Sequence, residues 1–267
     1  MDIDPVQTNI DPNTASEVKI CERFSASDSD ITIRSSDGVL FRVHRKNLTM
    51  HSEIFPGEEL EAKDDVDLDE SSAVLELLFQ FMYRQAQPKL SETSFSVLES
   101  LANAVEKYRV FPGIEVCRMH MKANAGMSPL KVIKYAVKHG YHDVCDAAAP
   151  KSLNASLSEA RECLDMSCLV AWMIYRDSVM SALHRSPGIV MHRGGKKTCS
   201  AWDEFYAHSI SAFAGRPAQV FDYARIIGHW KLRLSDCHWC LQRAGQWEAT
   251  IQANLSRVPK ISSLITL

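Results

Sequence analysis

The feature that most constrains the fold is an Asp37-Gly38 pair placed between two short runs in which apolar and polar residues alternate. An Asp-Gly pair readily adopts the positive φ angles that a tight hairpin turn requires, and strict alternation is typical of strands with one buried face. The sequence therefore predicts two antiparallel strands joined by this turn. Their buried residues are expected to be Ile31, Ile33, Val39, Phe41 and Val43.

The segment that follows predicts a short helix, a third strand and a longer helix. The short helix is expected to run from about His44 to a Pro-Gly pair, because proline and glycine end helices. A third strand is predicted where apolar residues alternate with aspartates between Asp65 and Asp69. The longer helix is apolar on nearly every side, and Asp69, Ser71 and Ser72 are expected to supply its N-cap oxygens. Such a helix belongs in a core.

The order of these residues matches a known pattern. The matching positions are Asp30, Ile31, Gly38, Phe41, Val43, His44, Leu48, Ser52, Ile54, Phe55, Val66, Leu68, Leu77, Leu78 and Tyr83, continued by Leu98, Ala102, Tyr108 and Cys117. The pattern resembles the BTB/POZ domain over about residues 28–125. The resemblance implies an α+β fold with a short three-stranded mixed sheet flanked by helices, and it implies a protein–protein interaction module that forms homodimers. The C-terminal half resembles the helical extensions of fungal BTB proteins.

The chain is expected to divide into a tail, a BTB/POZ domain and two helical regions. The expected boundaries are a disordered or partly ordered tail at 1–27, the BTB/POZ domain at 28–125, a helical extension at 126–154 and a helical C-terminal domain at 155–267. The tail has few large apolar groups, which is typical of disorder. In BTB domains an N-terminal element often packs across a dimer partner, and Val18, Ile20 and Phe24 are the residues available for that role.

Helical periodicity continues through the second half of the sequence. Ser128-Pro129 opens a predicted helix that Gly140 ends, and the next helix is expected to stop at Pro150. The last and longest helix is predicted over about residues 218–257. Its aromatic residues are interpreted as core.

Charge and hydropathy exclude several classes of protein. The 267 residues carry a net charge of −3, and no segment is basic enough to indicate nucleic-acid binding. The first residues lack the basic and apolar regions of a signal peptide, and no apolar run reaches the ~18 residues that a membrane span needs. We therefore expect a soluble intracellular protein, cytoplasmic or nuclear, whose eight cysteines stay reduced.

The sequence carries none of the local motifs of common enzymes. It has no nucleophile elbow, phosphate-binding loop, H-E-x-x-H helix, kinase signature or dinucleotide fingerprint, and none of its eleven glycines forms G-x-G. We therefore expect a protein that is not an enzyme, with no catalytic, cofactor-binding or metal residues and no cofactor. An unrecognised helical enzyme stays an alternative, because catalytic groups can be distant in sequence.

The expected function is that of an adaptor or scaffold that binds protein partners and a second copy of itself. One alternative is a substrate adaptor of a cullin-type ubiquitin ligase, which family members contact through the equivalent of residues 54–60. That region often carries a hydrophobic-x-Glu signature, but in residues 56–62 the poorly suited Pro56 is the only apolar residue that precedes a glutamate by two positions. A second alternative is a transcription-associated regulator, but no histidine follows His238 to complete a C2H2 zinc finger.

Cys237 and Cys240 form a C-x-x-C pair, the spacing of two ligands on one tetrahedral zinc ion. The residues that could complete such a site are Cys199 and His192, with His208 and His229 as alternatives. A redox role is disfavoured, because no βαβ context surrounds the pair. A lone C-x-x-C also arises when two cysteines pack as small apolar side chains on helix faces, and we favour that interpretation.

Overall fold

The computed structural model describes residues 19–55, 65–184, 199–234 and 236–265. The chain forms two compact units, Met1–Cys117 and Arg118–Leu267. None of the eight cysteines, all of which lie in the described ranges, takes part in a disulfide bond. Among the described residues, no helix is both long enough and apolar enough to cross a lipid bilayer.

The N-terminal unit contains a four-stranded mixed sheet with the strand order β1-β3-β2-β4. The strands are β1 (Ile20–Ser25), β2 (Ile31–Arg34), β3 (Leu40–Val43) and β4 (Val66–Asp67). β2 and β3 pair antiparallel, which confirms the predicted hairpin, and β4 lies parallel to β2 as the third strand. The expectation of only three strands is wrong, because β1 adds a fourth strand parallel to β3.

Helix α2 lies in the core of this unit, as its apolar sequence predicts. Val74, Leu75, Leu78 and Phe79 on α2 are each at most 3% exposed. The Phe79 ring contacts Phe41 of β3 with centroids 5.5 Å apart, so the helix packs on the sheet. The helices of this part of the chain are α1 (Arg45–His51), α2 (Ser72–Gln80), α3 (Phe95–Lys107) and α4 (Phe111–Ala123). The boundary between the two units falls within α4.

The hairpin turn anchors the first turn of α2. Gly38 has a φ of +81°, a conformation that favours glycine. The Asp37 carboxylate accepts hydrogen bonds from the backbone N–H of Ser72 at 2.7 Å and from its hydroxyl at 2.6 Å. The expected local caps are therefore wrong, since the N-cap residue Ser71 makes no capping bond with its side chain. A residue of the hairpin satisfies the helix terminus instead.

Gly113 lies in the first turn of α4, where a larger residue would not fit. A Cβ atom added to Gly113 would lie 2.7 Å from Cγ1 of Val105 and 3.1 Å from Cδ2 of Phe81. Val105 and Phe81 are buried, so neither side chain can move away freely. Glycine therefore allows α4 to approach α3 closely.

In the described residues the C-terminal unit is helical. After α4 its helices are α5 (Pro129–Lys138), α6 (His142–Ser152), α7 (Leu157–Cys163), α8 (Met166–His184), α9 (Ser200–Ala214), α10 (Tyr223–Lys231) and α11 (His238–Leu255). Gly140 separates α5 from α6 with a φ of +74°, as expected.

The helix α6 does not stop at Pro150, so that prediction is wrong. Proline removes only one hydrogen bond in the last turn, and the helix continues to Ser152, whose hydroxyl accepts a bond from Trp172.

The single long helix expected over residues 218–257 is also wrong. The chain there forms a 3-10 turn at Pro217–Asp222, then α10, a second 3-10 turn at Leu232–Leu234, and α11. Leu234 and Cys240 are both fully buried. Six residues carry an α-helix through about 1.7 turns, so a straight helix would place these two side chains on different faces. The break between α10 and α11 allows both to be buried.

The C-terminal end of the described chain returns to α6. The backbone N–H of Ser262 donates to Asp146 at 3.1 Å, and the Ser262 hydroxyl donates to the same carboxylate at 3.0 Å. The neighbouring Ile261 is fully buried. These contacts join residues from the two ends of the C-terminal unit.

The link between the hairpin and α2 should depend on pH. Replacing Asp37 with Asn keeps a residue that suits the turn but removes the carboxylate, and it should lower the free energy of unfolding by about 1 kcal/mol at pH 7. The hydroxyl groups of Ser35 and Ser72 lower the pKa of Asp37 from 3.8 to about 2. The carboxylate therefore stabilises the fold fully above about pH 4, and this stabilisation is lost as the pH falls towards 2.

Urea unfolding of wild type and Asp37→Asn at a series of pH values measures this effect. The difference between the two proteins should shrink as the pH falls. Asp67→Asn is the matched control, because Asp67 lies 3.7 Å from Arg34 in an exposed ion pair that contributes little. A difference for Asp37→Asn that stays constant from neutral to acidic pH would show that the carboxylate is unimportant.

Candidate functional site

Two segments of the N-terminal unit meet at a small bridge beside exposed apolar side chains. Ser52 and Val110 pair as an isolated antiparallel bridge, and the Ser52 hydroxyl donates to the carbonyl of Tyr108. An ion pair between Glu53 and Arg109, at 2.6 Å, lies next to the bridge. The end of α1 is thereby held against the connection between α3 and α4.

Three large apolar side chains project from these segments. Met50 is 64% exposed, Ile54 is 52% exposed and Phe111 is 54% exposed. We call these three residues the junction patch. Single exposed apolar residues are ordinary on protein surfaces, but several that lie on adjoining segments indicate a contact surface.

A second exposed apolar surface lies on α8 in the C-terminal unit. One face of α8 is buried through Trp172, Tyr175 and Val179, which are at most 5% exposed. The other face carries side chains that are between 44% and 73% exposed, and we call them the α8 stripe: Met166, Val170, Met173 and Ile174. A helix that is apolar on all sides is normally buried on all sides. The α8 stripe is therefore a second candidate contact surface.

Of the N-terminal residues expected to contact a dimer partner, Phe24 is buried inside its own unit. Phe24 is only 4% exposed, and its ring contacts Phe79 and Tyr83 of the same unit at centroid distances of 5.6 and 5.3 Å. The expectation that Phe24 is available to a partner is therefore wrong. Ile20 pairs with Leu40 and is partly exposed. Val18 lies outside the described residues.

Three cysteines from two parts of the C-terminal unit lie close together. Cys199 immediately precedes α9, Cys237 immediately precedes α11, and Cys240 lies in the first turn of α11. Their sulfur atoms all lie within 4.8 Å of one another. The interpretation that both members of the C-x-x-C pair lie on helix faces is wrong for Cys237, because the chain is not helical at that residue.

The histidines considered as further ligands do not join these cysteines. His208 and His229 pack against Trp230, with ring centroids 4.4 and 4.9 Å from it. Within the described ranges, the group of closely spaced ligand atoms contains the three cysteines alone. His192 lies outside the described residues.

The surroundings of the three sulfur atoms favour a negative charge at Cys199. The pKa of the Cys199 thiol is lowered, chiefly by the backbone N–H of Trp202 in the first turn of α9, with the thiols of Cys240 and Cys237 as further donors. Burial raises the pKa of Cys240, as do its interactions with the other two sulfur atoms. The cluster thus combines a thiol whose pKa is lowered with one whose pKa is raised.

The N-terminal unit also matches a known family. Residues 22–125 match the BTB/POZ domain. This part of the chain is a BTB/POZ domain. Its small mixed sheet with flanking helices, followed by an all-helical C-terminal region, confirms the predicted α+β fold. BTB/POZ domains are protein–protein interaction modules that also mediate self-association. No curated protein matches the chain.

These features differ in how far they could be predicted from the sequence. The BTB/POZ domain could be recognised from closely spaced residues, and the match begins inside β1, before the expected start at residue 28. The α8 stripe could not be recognised, because a helix that is apolar on all sides gives no indication of which face is exposed. Cys199 was identified as a candidate ligand only by its residue type, since nothing in its spacing relates it to Cys237.

Proposed function

We propose that the chain is a non-enzymatic adaptor that binds one protein through its BTB/POZ domain and another through the α8 stripe. The observation that carries this proposal is the exposed apolar face of α8, in a unit separate from the BTB/POZ domain. An adaptor needs two independent contact surfaces, and each unit has one.

The two surfaces have the composition expected of protein contacts. The junction patch combines methionine, isoleucine and phenylalanine, and the α8 stripe adds two further methionines. Methionine and aromatic side chains are enriched at protein interfaces, and methionine adapts its shape to a partner. The ion pair between Glu53 and Arg109 beside the junction patch provides the polar margin that is common around such contacts.

Charge substitutions should separate the two proposed surfaces. In affinity capture from a lysate of the source organism, Ile54→Glu in the junction patch should lose one set of captured proteins. A double variant of the stripe, Val170→Glu with Ile174→Glu, should lose a different set, because a buried unpaired carboxylate strongly disfavours an interface. Quantitative mass spectrometry of the captured proteins measures both losses.

Met127→Glu is the matched control, since Met127 is 79% exposed and belongs to neither surface. It should retain both sets of proteins, and circular dichroism should show that every variant keeps its helices. The adaptor proposal fails if the stripe variant captures the same proteins as wild type, or if both surface variants lose the same set.

Self-association is part of the proposal and can be tested separately. Among the described strands, β1 is at the edge of the sheet and pairs only with β3, and an open edge strand can pair with another chain. Sedimentation velocity over a range of concentrations should show a species of twice the 30.0 kDa chain mass. A single 30.0 kDa species at micromolar concentrations would refute the homodimer.

A cullin is a second candidate partner, favoured by the exposure of Ile54. This residue begins the region that cullin-binding members of the family use, while residues 56–64 lie outside the described residues. Calorimetry with a cullin N-terminal region should show binding that Ile54→Glu abolishes and the stripe variant preserves. The absence of binding by the wild-type chain would exclude the cullin role.

A further inference from the structure

We propose that Cys199, Cys237 and Cys240 bind one zinc ion that joins the start of α9 to the start of α11. The site has a structural role in the C-terminal unit. It is independent of the adaptor function, because none of its residues belongs to the junction patch or the α8 stripe.

The positions of the three sulfur atoms are close to those of a tetrahedral metal site. With Zn–S bonds of about 2.3 Å, two thiolates on one tetrahedral zinc ion lie about 3.8 Å apart. The observed sulfur atoms are all within 4.8 Å of one another, so shifts of about 1 Å are enough to close the site. Cys199 and Cys237 both have extended backbone before a helix, and both are only partly buried.

The donor atoms select the type of metal ion. Thiolates are soft ligands that prefer zinc, copper(I) and iron–sulfur clusters, whereas magnesium and calcium need oxygen ligands. Among the described residues no carboxylate joins the three cysteines, which excludes a magnesium or calcium site at this position. Water or a side chain other than cysteine would supply the fourth ligand. Zinc is the metal of most tetrahedral sites that contain a C-x-x-C pair.

The N-termini of α9 and α11 favour the negative charge that the zinc-bound cluster would carry. Three thiolates and one Zn²⁺ carry a net charge of −1, and the N-termini of α9 and α11 both meet at these sulfur atoms. The N-terminus of a helix carries a partial positive charge that stabilises thiolates. Two such termini therefore offset the charge of the occupied site.

Side chains of the same two helices also contact each other beyond the cysteines. One turn beyond the cluster, the Arg243 guanidinium of α11 lies 3.9 Å from the ring centroid of Trp202 on α9. Farther along, Phe205 and Trp247 meet edge to face with centroids 6.1 Å apart. A zinc ion would hold together the end at which this aromatic packing begins. Because the unfolded chain has no preformed site, the binding energy would stabilise the folded unit.

Metal analysis provides the first test. The chain is produced with zinc in the growth medium and purified under reducing conditions without chelator, and its zinc content is measured by atomic emission. We expect about one zinc per chain in the wild type and a loss of that zinc in Cys199→Ser and in Cys237→Ser. Cys163→Ser is the matched control, because Cys163 is a partly exposed thiol outside the cluster, and it should keep the metal.

Cobalt binding and thermal unfolding provide a second test. Metal-free protein titrated with Co²⁺ should develop the visible bands of tetrahedral cobalt and the near-ultraviolet thiolate band, and Cys240→Ser should not. Added zinc should raise the temperature of unfolding, and chelator should reverse the increase. Wild-type protein with neither zinc nor a cobalt spectrum would overturn the proposal, as would unchanged zinc in Cys199→Ser.

Discussion

The BTB/POZ domain is organised around helix α2, whose residues Val74, Leu75, Leu78 and Phe79 are almost completely buried. Every large apolar residue left in water on α2 would cost free energy, so the surrounding chain must cover the helix in several directions. Phe41 of the sheet covers one side, and α3 packs against another. Phe24 of β1 covers Phe79 further, which explains why a strand forms in a segment with few other apolar residues. Asp37 accepts a hydrogen bond from the first residue of α2 and so joins the N-terminus of the helix to the hairpin.

Much of this domain could be predicted, because the relevant signals are local. The Asp-Gly turn sets the hairpin, alternation sets its buried face, and continuous apolar character places α2 in the core. β1 could not be predicted in the same way. Its assignment depends on one phenylalanine finding a buried position beside residues more than fifty positions away, and neither alternation nor turn chemistry encodes that contact. The N-cap of α2 was missed for the same reason, since its acceptor comes from another element.

In the C-terminal unit, the wrong prediction of a single long helix and the candidate metal site have one physical origin. Leu234 and Cys240 cannot be buried on one stripe of a single helix, so the helix breaks between them. The break turns Cys237 from a residue on a helix face into the residue before a new helix, beside the start of α9. Residue types in this region made a metal site the less favoured of two interpretations, because its geometry depends on where the helix stops. The spacing of apolar residues alone does not show where the helix breaks, because the break depends on the direction in which each side chain points around the helix axis.

The return of Ser262 to Asp146 affects how the protein is made. The two residues are separated by 116 positions, so a chain leaving the ribosome cannot form this contact until Ser262 has been synthesised. A loop of this length adds little to the equilibrium cost of folding, but contacts between distant residues slow the folding itself. The BTB/POZ domain contains its own core and can fold while the ribosome is still translating the second half. Until then the helical unit lacks this contact, and its apolar surfaces need protection from aggregation while the BTB/POZ domain can already be folded.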